Sequence, residues 1–170
     1  QGAVREGFDP DGANILLTYP DAYELGISNN GLRILYAGLN AHPGAFADLC
    51  FAPWPDMEAA LRAEGMPLYA LESGRSARAF DVLGFSLGYE LCYTNVLTML
   101  DLSGVPLLAA ERGDDDPIVL AGGHCAANPT VLSPFVDLFA IGDGEEVTLE
   151  VADAIRAAKA AGEGRAARLE

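Results

Sequence analysis

Residues 81–100 read Asp-Val-Leu-Gly-Phe-Ser-Leu-Gly-Tyr-Glu-Leu-Cys-Tyr-Thr-Asn-Val-Leu-Thr-Met-Leu. The first six are an apolar run of strand length. Thr94 or Asn95 then offers a helix cap, and Val96, Leu97 and Leu100 follow at helical spacing. Gly104 and Pro106 stop that helix. A strand, a short loop and a helix in this order form half of a βαβ unit, and the rest of the chain repeats the pattern.

Upstream, Asn14 to Tyr19 is an apolar strand ending at Pro20. Ser28 is placed to cap a helix carrying Leu32, Leu35, Tyr36 and Leu39 on one face. Asp48 to Phe51 is a short second strand. Pro55 opens and Gly65 closes the next helix, with Met57, Ala60 and Leu61 as its inner face. Downstream, Pro117 to Ala121 is a fourth strand. After Asn128-Pro129 comes a short weak helix through Ser133, then Val136 to Ile141 as a fifth strand. Val147, Val151, Ala154, Ile155 and Ala158 give the last helix one stripe. Asp143 with Glu146 three residues on resembles a capping box. Pro67 to Leu71 and Val105 to Ala109 are candidate minor strands.

Five apolar strands alternating with helices predict an α/β fold with a doubly wound, mainly parallel sheet and right-handed crossovers. We expect the flavodoxin-like order 2-1-3-4-5. Residues 1–162 form one domain in this reading, and residues 163–170 a linker or tail. The first residue is not Met, and we expect a piece of a longer protein. In such a sheet the loops after the strands share one edge, where ligands bind. Those loops are Asp21-Ala-Tyr-Glu-Leu-Gly26, Phe85-Ser-Leu-Gly-Tyr-Glu90, Gly122-Gly-His124, Asn128-Pro129 and Gly142-Asp-Gly-Glu-Glu146.

Composition narrows the ligand. The chain has 170 residues, a net charge of −15 and one lysine, Lys159. Such an acidic surface repels nucleic acid and anionic membranes, so neither is an expected partner. No apolar run reaches the roughly 18 residues of a membrane span. Three widely spaced cysteines, Cys50, Cys92 and Cys125, fit no CxxC or iron–sulfur pattern and suit a reducing cytoplasm. There is no GxGxxG, GxxxxGK[ST] or GxSxG. His124 beside Cys125 is a weak metal pair without a third ligand in the sequence. Asp143, Glu145 and Glu146 suit a helix N-terminus. Glu90 sits where a rim carboxylate would be or caps the next helix. Tyr89 and Tyr93 flank the third-strand loop and line a pocket or simply pack. Trp54 more often packs a helix entry than stacks on a ligand.

The stretches at residues 19–36, 51–58, 71–102 and 121–146 resemble the N-terminal domain of a family of radical SAM proteins that carry a cobalamin-binding domain. Cobalamin-binding domains have Asp-x-His-x-x-Gly after the first strand, Ser-x-Leu after the third and Gly-Gly after the fourth. Here the corresponding residues are Asp21, Tyr23 and Gly26, then Ser86 and Gly88, then Gly122 and Gly123. The resemblance implies that these seven residues bind cobalamin in a slot for its nucleotide tail. It also implies a C-terminal radical SAM domain in the same chain, holding a 4Fe-4S cluster and S-adenosylmethionine. Two positions depart from the pattern. Tyr23 replaces the cobalt-ligating histidine, and a phenol is a poor cobalt ligand at neutral pH. Gly88 replaces the leucine. Two function classes stand: a cobalamin-holding module without a histidine lower ligand, or a scaffold that keeps the fold without the cofactor. An independent small-molecule binder is a third.

Overall fold

The computed structural model describes residues 7–169. Strands β1 (Ala13–Tyr19), β2 (Ala45–Phe51), β3 (Val82–Ser86), β4 (Ile118–Gly122) and β5 (Leu138–Phe139) form one sheet. Its order is β2-β1-β3-β4-β5 and every pairing is parallel. Ile15 lies opposite Val82, and Ser86 opposite Gly122.

Helices α2 (Asn30–Ala41) and α5 (Gly144–Ala161) cover one face. Helices α3 (Pro55–Glu64) and α4 (Tyr93–Leu102) cover the other. Alternate residues of each strand feed separate cores, because side chains switch faces with period two. Leu83 and Phe85 pack with Leu61, Val96 and Met99 of α3 and α4. Ile15, Leu17 and Val82 pack with Leu32, Leu39 and Ile155 of α2 and α5. This is the expected doubly wound fold.

Several local expectations change. Asn29, not Ser28, caps α2: its Oδ1 accepts from the Leu32 N–H at 2.9 Å. Ser28 Oγ instead donates to the Leu25 carbonyl, closing the short helix α1 (Tyr23–Gly26). On α3 only Leu61 is buried; Met57 and Ala60 are exposed. Neither Thr94 nor Asn95 caps α4, because a 3-10 turn over Glu90–Cys92 runs straight into it. Asn95 Nδ2 donates to the Pro20 carbonyl at 2.9 Å and ties down the loop after β1. Inside α4, Met99 is buried where Leu97 is half-buried.

The stretch 67–71 makes a single antiparallel bridge, Tyr69 to Ser76. The stretch 105–109 is no strand and leads into a 3-10 turn at Ala109–Glu111. After Asn128, the expected helix is a 3-10 turn, Pro129–Val131. Strand β5 is two residues long rather than six, because pairing with β4 ends with the Ala140 N–H on the Ala121 carbonyl. Along α5 the buried side is Thr148, Ala152, Ile155 and Ala158, while Ala154 is exposed.

Beyond Gly162, helix α6 (Arg165–Arg168) packs back on the domain where a linker was expected. Arg165 Nη2 donates to Asp137 Oδ2 at 2.6 Å, and Arg112 Nη1 donates to the same oxygen at 2.9 Å. The Val119 N–H completes the cluster at 2.7 Å. All three ionic side chains are nearly inaccessible. Burial works against the Arg112 charge, and the Asp137 carboxylate opposes that effect. Arg112 also donates to the carbonyls of Pro106, Leu107 and Phe135, so this cluster gathers the loops at the foot of the sheet.

Removing one member of such a cluster strands a buried charge, which costs about 3–5 kcal/mol. Asp137→Ala is expected to lower unfolding stability by that amount in urea titration.

Candidate functional site

One face of the sheet is left partly uncovered between α2 and α5. A slot of about 210 Å³ opens there at the carboxyl edge of the strands. Ser86, Gly122 and Gly123 line its mouth, together with Gly142, Asp143 and Glu145. Its walls are Leu32 and Leu35 of α2 and Val147 and Val151 of α5. Ile15 and Val82 lie at the deep end. Val82 is four residues before Ser86, so the slot runs about 13 Å at the strand rise per residue.

The slot exists because of a missing side chain. Gly84 sits on the slot face of β3, between Val82 and Ser86. A Cβ built there would meet only Leu17 Cδ2 at 3.7 Å and the Leu16 carbonyl at 3.9 Å, both ordinary contacts. At Gly122 the nearest atom would be Ala140 Cβ at 3.8 Å. Neither glycine is needed for backbone shape or close packing, and both leave space that a larger residue fills. A glycine inside a strand marks such an approach. The signal lies in the sequence itself, as the glycine inside the apolar run Asp81-Val-Leu-Gly-Phe-Ser86, a residue not among the seven candidates.

The other glycines serve packing. A Cβ at Gly26 would fall 2.4 Å from Phe51 Cε1 and 2.9 Å from Tyr19 Cδ1. Gly123 has φ +92°, and a Cβ there would lie 2.9 Å from the Leu87 carbonyl. It turns the chain so that Leu87 donates to Gly122 and accepts from Cys125. At Gly88 a Cβ would meet only the Tyr19 hydroxyl, at 3.6 Å.

Of the seven residues singled out from the sequence, Ser86, Gly122 and Gly123 come together in the slot. Tyr23 does not enter it. Its ring stands edge-on to Phe51, centroids 5.3 Å apart at 83°, and the residue is 46% exposed. The ring therefore leaves the slot open. Gly26 packs beneath it against Phe51, and Gly88 lies outside the slot lining. Asp21 accepts from the Ala22 N–H at 2.7 Å and lines a second recess of about 560 Å³. That recess is acidic, bounded by Glu24, Trp54 and Glu58. Trp54 Nε1 donates to Glu24 Oε2 across it.

The polar groups of the slot cluster at its mouth. Among the described residues the Ser86 hydroxyl, on a residue that lines the slot, has no hydrogen-bond partner in the protein. Asp143 occupies the cap position of α5, yet its side chain makes no cap hydrogen bond, and the expected capping box does not form. Thr148 Oγ is committed to the Gly144 carbonyl at 2.8 Å.

Cys125 is buried while the adjacent His124 is exposed. Among the described residues no three His, Cys, Asp or Glu side chains gather to hold a metal. Burial pushes the Cys92 thiol up to about 11 and the Cys50 thiol up to about 12, so neither is a thiolate at neutral pH.

The geometry defines a doubly wound α/β domain with a deep slot beside the β1–β3 switch point, the position at which such sheets take ligands. The family model described as radical SAM proteins, N-terminal, matches residues 31–170, and the chain belongs to that family. Among solved structures it is similar to TsrM, a radical S-adenosylmethionine methyltransferase from Kitasatospora setae, determined with tryptophan substrate and the SAM analog aza-SAM bound. The TM-score is 0.53 at 16% identity. The match covers 90% of this chain and 27% of that one, so the chain spans about a quarter of that protein's length. No curated protein matches the chain significantly. No helix of the described residues is long and apolar enough to cross a membrane.

Two glycine substitutions separate slot-making from packing. Gly84→Val is expected to leave the melting temperature unchanged or higher, since Val suits a strand and its methyls enter free space. Gly26→Ala is expected to cost about 1–3 kcal/mol by overpacking against Phe51. Thermal unfolding of both variants checks this.

Proposed function

We propose that this chain is the cobalamin-binding module of a radical SAM enzyme. In this reading the cofactor's nucleotide tail lies between α2 and α5, and its corrin ring lies on the rim. The observation that carries the proposal is the slot that Gly84 and Gly122 leave open beside the free Ser86 hydroxyl. An engineered cavity of about 150 Å³ admits a benzene ring, so a slot of this size suits a two-ring base. Cobalamin, when bound, supplies a cobalt centre able to carry a methyl group.

The chain's own residues have distinct tasks. Leu32, Leu35, Val147 and Val151 exclude water from the slot. Ser86 offers a hydrogen bond to a ring nitrogen of the tail, without the bulk that would block entry. Gly84 and Gly122 allow a flat ring to approach the sheet. Tyr23, held against Phe51, would supply no imidazole to the cobalt, which would suit methyl transfer. Asp21, Gly26, Gly88 and Gly123 shape the rim on which the corrin rests.

The rim also bears apolar side chains without cover in this domain. Leu91 is 85% exposed and Ile141 70% exposed, and both follow strands at the ligand edge. Large apolar side chains left this exposed at a ligand edge suit an interface. We assign it to the C-terminal radical SAM domain of the same chain, which would bring the 4Fe-4S cluster and S-adenosylmethionine to the cofactor. The whole protein would then be a cytoplasmic radical SAM enzyme, with this module not catalytic alone.

Calorimetric titration of the full-length protein with hydroxocobalamin tests the reading. One-to-one binding is expected, with affinity reduced at least about tenfold in Gly84→Leu, where the new side chain occupies the slot. Absence of binding by the folded full-length protein would contradict it and leave the scaffold reading.

A further inference from the structure

Resting on the cobalamin reading above, we propose that the slot selects the cofactor by its lower base. It would take a base with an apolar distal edge, of the dimethylbenzimidazole type, and discriminate against purine bases. The argument comes from where the polar groups lie. At the mouth are the Ser86 hydroxyl and the acidic side chains of Asp143 and Glu145. Below Ser86, the slot-facing residues are Gly84 and Val82 on β3, Leu17 and Ile15 on β1, and Leu120 on β4. None has a polar side-chain atom.

The backbone there offers nothing either. The sheet carbonyls are spent in the β1–β3 and β3–β4 ladders. Those of α2 and α5 are committed within the helices. Thr148, the one wall residue with a hydroxyl, already donates it to Gly144.

A base entering this space can satisfy one ring nitrogen near Ser86, but nothing deeper. Methyl groups on its leading edge meet Val82, Ile15 and Val151 and gain by leaving water. An adenine would carry an exocyclic amine and extra ring nitrogens into the same space. Burying such groups without partners weakens binding by roughly ten- to a hundredfold.

The test is calorimetry on the full-length protein with three corrinoids. These are hydroxocobalamin, the analogue bearing adenine as lower base, and cobinamide, which lacks the nucleotide tail. The expected order is hydroxocobalamin tightest, with the adenine analogue at least about tenfold weaker and cobinamide weaker than hydroxocobalamin. In Val82→Thr, which adds a hydroxyl at constant size on a strand, where no i−4 carbonyl competes for it, the gap between the two base-bearing corrinoids is expected to narrow several-fold.

Equal binding of hydroxocobalamin and the adenine analogue would overturn the selectivity while leaving cobalamin binding intact. An unchanged gap in Val82→Thr would overturn the apolar slot lining as its origin. Cobinamide binding as tightly as hydroxocobalamin would place the tail outside the slot and overturn the inference. If none of the three binds, the cobalamin reading itself fails.

Discussion

A parallel sheet buried on both faces must be filled by side chains along its whole length, and here one stretch of one face is not. At Gly84 the sheet presents backbone where the period-two pattern demands an apolar side chain. The helices on either side do not close over the gap. Helix α2 is held by the Asn29 cap, and its Leu32 and Leu39 are buried. Helix α5 is fastened at its far end, where Lys159 Nζ reaches Asp81 Oδ2 at 2.7 Å and the carbonyls of Pro10 and Gly12. Two rigidly anchored helices over a sheet with a missing side chain leave a slot rather than a collapse. Collapse would be the usual relief, since an unfilled apolar space forfeits dispersion contacts.

The same constraint explains why the rim residues divide as they do. The loop after β1 carries the residues that in cobalamin domains reach toward the metal. In this chain it folds into the short helix α1 and packs down on Phe51. Gly26 makes that packing possible, and Tyr23 completes it. The loops after β3 and β4 are joined by backbone hydrogen bonds through Leu87 and Gly122. They frame the mouth of the slot and fix Ser86 at its edge. One half of the rim is thus built for packing and the other for access.

The architecture was legible in the sequence because continuous apolar runs and helical stripes are strong signals in a buried parallel sheet. The strand order followed from it, whereas Ser86, Gly122 and Gly123 stood out through the resemblance to cobalamin-binding domains. The errors fell where a single local contact decides the outcome. Ser28 and Asn29 are both good caps, and only the carbonyl of Leu25 shows which is free. Met57 fits the stripe of α3 by spacing, yet Leu61 is the one residue of that helix that is buried. The capping box at Asp143 fails because that side chain makes no cap hydrogen bond and sits at the slot mouth instead. Tyr23 was the hardest to judge, since its direction depends on Phe51, a residue 28 positions away. Gly84 was readable, as a glycine in the middle of an apolar strand, but its meaning needs the empty volume beside it.

The central claim is that this volume is a cofactor slot. The most direct measurement is a structure of the full-length protein determined with hydroxocobalamin present. The account predicts density for the nucleotide tail between α2 and α5, passing Gly84, with a ring nitrogen near Ser86 and no side chain of this domain on the cobalt. A bound cobalamin with its tail outside the slot, or a histidine of this domain on the metal, would contradict it.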